Sequence, residues 1–324
     1  MRVADVPSPA RYRAMACARQ LFVFSETGDR AHADVLFSAL TEYFQDRTHG
    51  GFHYSVDAAG RPREVGKDLY THAFVIFACA AYFQSFQVPA GREIAEQTIG
   101  IVRDRFAADP STGLRHAAMS EDFIEITGDI RQNPLMHLTE AYLMARQSLG
   151  DTFIDGLLDD LLMGIARTFV DDETSCIMEL PCSSPRNSIE PGHQFEWFFL
   201  GNSSAHRAFQ RSGLDTVLRA AFDFAQRHGV DPVTGGVAAS LDRAGHVQDT
   251  TQRIWAQTEY LRALACHPQA ERRATLEAQV ARFHARFLHA DGWHECLSAD
   301  GVITRDDMPS TTPYHLLSSY IALR

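Results

Sequence analysis

The hydrophobic and polar positions of this chain change period as they run along it. From His72 to Phe83 the residues are almost continuously apolar and rich in alanine, which predicts a helix buried on most sides. Pro134 to Ser148, Phe195 to Phe209, Arg253 to Cys266 and Thr312 to Leu323 carry apolar residues at helical spacing and predict further helices. Between them the pattern shortens to an alternation that ends in turn-forming residues. It reads GGFHYSVDAAGRP from Gly50, GLRHAAMSED from Gly113, GGVAASLDRAGHV from Gly235 and GWHECLSADGVI from Gly292, with SCIMELPCS around Ser175 as a weaker copy. VDAAG, LDRAG and SADG predict β-hairpin tips, because Gly and Asp accept the left-handed backbone such tips need.

Successive copies start roughly 60 residues apart, a period at which a repeat architecture is expected. Each interval holds two helices of about 12 to 20 residues. Six such pairs would consume the chain and predict an all-α fold, an (α/α)6 barrel with short β-hairpins at one mouth. No Pro/Ser-rich linker divides the sequence, so residues 1–324 are read as one catalytic domain, with a helical solenoid or two helical domains as the alternative.

Charge narrows the partners. A net charge of −11 and a pI near 5.7 argue against nucleic acid, since binding a phosphate backbone needs clustered Lys and Arg. No segment reaches the roughly 18 to 20 apolar residues that span a bilayer, so no membrane association is expected. The six cysteines (Cys17, Cys79, Cys176, Cys182, Cys266, Cys296) form no CxxC pair, and read as small core residues of a cytoplasmic protein, monomer or homodimer.

Candidate chemistry gathers where helices begin. The segments are Lys67–Phe74, Arg131–Glu140, Glu190–Trp197 and Thr311–Leu316. Three of them place a proline two or three residues before a histidine: His137, His193 and His315. A histidine near the positive end of a helix is expected to stay neutral, the form a general base requires. His193 and Glu196 share a helical face, so Glu196 is a candidate to orient the imidazole. The competing reading makes these core histidines. His49, His228, His246 and His267 sit in polar surroundings and read as surface residues. A lone His/Glu pair supplies too few ligands for a metal, and none is expected. Tyr70, Trp197, Trp255 and Tyr314 fall beside the polar groups, as the apolar faces of a sugar would require.

Taken in order, these segments resemble the N-acylglucosamine 2-epimerase superfamily, which includes mannose isomerases, sulfoquinovose isomerase and cellobiose 2-epimerases. The resemblance runs from Arg19-Gln20-Leu21-Phe22 through Gly50-Gly51-Phe52, Lys67-Asp68-Leu69-Tyr70 and Asn133-Pro134-Leu135-Met136-His137. It continues through Pro191-Gly192-His193-Gln194-Phe195-Glu196-Trp197, Arg253-Ile254-Trp255-Ala256-Gln257-Thr258-Glu259 and Tyr314-His315. It implies an (α/α)6 barrel without a required metal or cofactor, and a monosaccharide substrate. His193 and His315 match the acid/base histidines. Arg19, Tyr70, Asn133, His137, Glu196, Trp255 and Gln257 match substrate-binding positions. Lys67–Phe74 and Arg131–Pro134 resemble the aldose–ketose isomerase branch. The implied reaction converts an aldose such as mannose to a ketose such as fructose through a cis-enediol. A 2-epimerase acting on N-acylglucosamine or cellobiose is the alternative, and an (α/α)6-barrel glycoside hydrolase using two carboxylates a more distant one.

Overall fold

In the computed structural model, which describes residues 11–324, helices alternate with short antiparallel hairpins. The helices are α1 (Ala14–Glu26), α2 (Arg30–Ala39), α3 (Leu69–Phe86), α4 (Pro89–Arg105), α5 (Gln132–Leu149), α6 (Phe153–Phe169) and α7 (Pro191–Ser204). They continue as α8 (Arg207–Arg211), α9 (Leu214–Gly229), α10 (Ile254–Ala265), α11 (Ala270–Arg273), α12 (Leu276–Phe287) and α13 (Thr312–Ala322). Packing groups the chain into two compact units, residues up to Ile130 with His137–Ile154, and Arg131–Met136 with Asp155–Arg324. In the first, α1 packs on α2 and α3, and α3 on α4; in the second, α7 packs on α9 and α10, and α10 on α12 and α13.

The repeat is real, and its marker is an aspartate. Asp46, Asp109, Asp171 and Asp231, about 60 residues apart, each open a tight loop that begins after a helix. In each of these four copies the aspartate carboxylate accepts a backbone N–H inside the loop, from Thr48, Ser111, Thr174 and Val233 respectively; the copy at Gly292 has Leu288 in the aspartate's place. Four residues on, the backbone turns left-handed, at Gly50 (φ 81°), Gly113 (φ 74°), Ser175 (φ 58°) and Gly235 (φ 72°). Ser175 shows why the third copy reads weakly. Its backbone makes the same turn without the glycine that marks the others. Hairpins follow the loops of Asp46, Asp109 and Asp231, pairing Ser55–Val56 with Pro62–Glu64, Ala118–Met119 with Ile126–Gly128 and Ser240–Leu241 with Val247–Asp249, and the copy at Gly292 leads into a fourth, Cys296–Leu297 with Ile303–Arg305.

A side chain from the next helix locks three of these loops. His72 Nε2 accepts from Phe52 N (3.1 Å). Gln194 bonds both backbone groups of Ile177 (2.8 Å each), and Gln257 both of Val237 (2.9 and 3.1 Å). All three residues are buried, so the bonds satisfy backbone groups that have no access to water.

Three sequence expectations need correction. Leu69–Phe86 is 18 residues long and apolar enough to cross a membrane by length and composition, but 72% of it is buried inside the fold, which makes it a core helix. The helix expected over 195–209 starts at Pro191 and stops at Ser204, where Ala205 turns left-handed (φ 47°) before α8. His267 is not a surface residue: only 5% exposed, it stacks on Phe198 at 5.0 Å and lies 4.7 Å from Phe222. The turn after α10 folds inward there, and burial pulls the imidazole pKa down.

Candidate active site

In the second unit, three helix starts bring two histidines to one tryptophan. Glu190 flanks α7, Pro191 occupies its first position and His193 lies in its first turn. Gly192 is required by packing, since a Cβ there would lie 2.7 Å from the Trp255 ring. Trp255 sits in the first turn of α10, and its ring centroid is 5.0 Å from that of His193 and 5.8 Å from that of His315. His315 lies in the first turn of α13. The start of α13 is tied down by Thr312, whose hydroxyl donates to Glu295 (2.9 Å), a carboxylate that also accepts from Trp293 Nε1 (3.0 Å).

Both histidines are nearly sealed from solvent, His193 at 5% and His315 at 7% exposure, and each presents Nδ1 to a glutamate. His193 Nδ1 lies 2.8 Å from Glu179 Oε1. Gln132, on the first turn of α5, donates its amide to both Glu179 oxygens (3.0 and 3.1 Å) and accepts from Trp197 Nε1 (2.9 Å). Glu190 is 3.9 Å from the same Nδ1 and 3.7 Å from Arg253. Burial alone would lower the His193 pKa, but the charge and hydrogen bond of Glu179, reinforced by Glu190 and Glu196, push it up to about 9. This corrects the expectation of a neutral imidazole held by its helix start. A helix terminus counts for about half a charge, and three carboxylates outweigh it. Burial, with Glu179 beside it, raises Glu190 in turn.

His315 Nδ1 lies 2.9 Å from Glu259 Oε1, whose other oxygen accepts from Arg262 at 2.7 Å. Arg262 lies over the Phe199 ring at 4.0 Å. Each imidazole therefore has an acidic residue fixing its orientation, the arrangement that proton-transfer histidines use.

The other candidates fall in two places. In the first unit Arg19 donates to the Tyr70 hydroxyl (2.7 Å) and covers the Phe74 ring at 4.2 Å. His137 meets Tyr70 edge-on at 4.8 Å and lies 3.3 Å from Glu140. In the second unit Glu196 is buried and adds to the field on His193, while Glu179 makes the orienting bond expected of it. Asn133 has its Oδ1 buried without a hydrogen-bond partner among the described residues. Gln257, expected on the substrate, uses both ends of its amide on the Val237 loop.

Glu179, Gln132 and Glu259 were not singled out from sequence. Glu259 was visible as the end of the Trp255–Glu259 segment, and Glu179 lies in SCIMELPCS, the copy without glycine. Glu179, Glu190 and His193 also have ligand atoms within 4.8 Å of one another, the composition of a metal site, although the imidazole is already bonded to Glu179.

A family model described as N-acylglucosamine 2-epimerase (GlcNAc 2-epimerase) matches residues 4–319. The chain belongs to this family. A Rhizobium meliloti (strain 1021) protein named mannose-6-phosphate isomerase is 27% identical over 334 residues, covering 94% of this chain and 84% of that one. The D-mannose isomerase of Thermobifida fusca is 29% identical over 124 residues, 38% of this chain and 30% of that one. Among solved structures, a D-mannose isomerase matches with a TM-score of 0.87 at 21% identity, over 98% of this chain and 88% of that one. Cellobiose 2-epimerase from Bacillus thermoamylovorans B4167 matches with a TM-score of 0.84 at 20% identity, over 97% and 87%. The fold class is thus the expected (α/α)6 barrel, and this GlcNAc 2-epimerase family member is a sugar isomerase or 2-epimerase.

Proposed function

We propose that the protein is an aldose–ketose isomerase of the mannose-to-fructose type, working without a metal through His193 and His315 as one catalytic domain. The observation that carries this is the pair of histidine–glutamate dyads that meet at Trp255. An open-chain aldose lays an apolar C–H face on the indole. His315 takes the proton from C2, and the C2–H electron pair moves into the C1–C2 bond. The carbonyl oxygen at C1 takes a proton from His193, which its carboxylates keep charged. The product is the cis-enediol. His193, now neutral, recovers a proton from the C2 hydroxyl while His315, its proton exchanged with solvent at the enediol stage, delivers one to C1, and a ketose leaves. Arg19, Tyr70, Asn133, His137 and Glu196 are proposed substrate contacts on the motifs they share with the family.

The charge around His193 favours an uncharged sugar. Glu179, Glu190 and Glu196 make a local field that would repel a phosphate dianion. A 2-epimerase is the second reading, favoured by the fact that two proton-transfer groups approach one ring. It would return a proton to C2 from the opposite face.

The test is turnover of mannose, mannose 6-phosphate, N-acetylmannosamine and cellobiose by chelator-treated protein. Fructose from mannose, with mannose 6-phosphate the poorer substrate, is expected. Activity that disappears with EDTA and returns with a divalent ion would overturn the metal-free reading and point to Glu179, Glu190 and His193 as ligands.

A further inference from the structure

A second cluster lies outside the dyads. Leu288–His289 pairs with Gly292–Trp293 in a tight antiparallel hairpin, with His289 opposite Gly292 and His294 directly after it. Glu295 N donates to Arg305 O (3.0 Å), which sets His294 beside Asp306. The His289 and His294 rings are 4.7 Å apart, and His294 Nδ1 lies 2.7 Å from Asp306 Oδ1. One ligand atom each from His289, His294 and Asp306 lies within 4.8 Å of the other two. The segment after Asp306 is seated over the same hairpin, since a Cβ at Gly292 would collide with Met308 Sδ.

We propose that His289, His294 and Asp306 form a surface site for a borderline divalent transition ion such as Zn2+. Two imidazoles and one carboxylate select this class over Mg2+ or Ca2+, which take oxygen ligands. Zinc takes its nitrogen and oxygen ligands at about 2.0 to 2.2 Å, so modest side-chain rotation closes the triangle. The residues are fixed at backbone level by the hairpin and the Glu295–Arg305 bond, while His289 and Asp306 are exposed, leaving the ion a path in and water to complete its coordination. Binding would also disturb a long hydrogen bond, Asp291 N to His289 Nδ1 at 3.3 Å. A bound ion would staple the hairpin to the segment that runs from Asp306 into α13.

The test uses untagged, EDTA-stripped protein titrated with Zn2+ against a fluorescent chelator, with Mg2+ as the hard-ion control. One Zn2+ per chain is expected, and His294→Ala and His289→Ala should each weaken it at least about tenfold, while Glu190→Gln leaves it unchanged. With Co2+ in place of Zn2+, visible absorption bands should appear in the parent and disappear in His294→Ala. Circular dichroism checks that each variant is folded, and Asp306→Asn serves as a milder variant. Absence of saturable Zn2+ uptake, or uptake that both histidine variants leave intact, overturns the assignment.

Discussion

His193 and His315 have nearly the same local geometry and different electrostatic surroundings. Each holds a glutamate at Nδ1, at 2.8 and 2.9 Å. Glu259, beside His315, divides its charge with Arg262. Glu179, beside His193, receives the uncharged amide of Gln132, and Glu190 and Glu196 add to its field. A histidine–glutamate pair therefore does not define a role by itself. What balances the glutamate differs between the two, and in the proposed reaction His193, whose carboxylates push its pKa up, is the starting acid and His315 the starting base.

The largest effect should come from removing either ring. His193→Ala and His315→Ala are each expected to lower kcat for mannose by about 100-fold or more, with folding checked by circular dichroism. Near-parent turnover in either variant would remove that residue from the mechanism. Glu179→Gln keeps the shape and removes the charge. It should lower kcat/KM by about 10- to 100-fold and move the alkaline limb of the pH profile from near 9 toward neutrality. An unmoved limb would show that Glu179 does not set the His193 charge.

Arg262→Gln attacks the other side of the comparison. It removes the guanidinium that Glu259 is bonded to and should lower turnover of mannose while leaving the alkaline limb of the pH profile in place. The smallest effect is on stability. The folded protein binds the His193 proton more tightly than the unfolded chain, so this contribution is complete below about 6.5 and disappears as pH rises to about 9. The Tm of the parent should fall across that window by more than that of His193→Gln.

The sequence made the helices and hairpins legible because their periods differ and because glycine marks most of the turns. Where glycine was absent, the signal failed. Ser175 makes the left-handed turn of its repeat without it, and Glu179, four residues on, went unremarked as the partner of His193. Glu196 looked like that partner because three-residue spacing is visible in a string, whereas the Glu179–His193 bond closes a 14-residue loop. Gln257 is similar in kind: its motif suggests substrate binding, and only packing shows both ends of its amide on Val237. His267 misled because polar neighbours in sequence say little about which way a turn folds.

The central claim is proton transfer between sugar carbons by two histidines. Its most direct test is mannose incubated in D2O with chelator-treated protein and followed by NMR. The account predicts fructose carrying deuterium at C1. If mannose, N-acetylmannosamine and cellobiose all stay unconverted and unlabelled while the protein is folded, the proton-transfer account is contradicted.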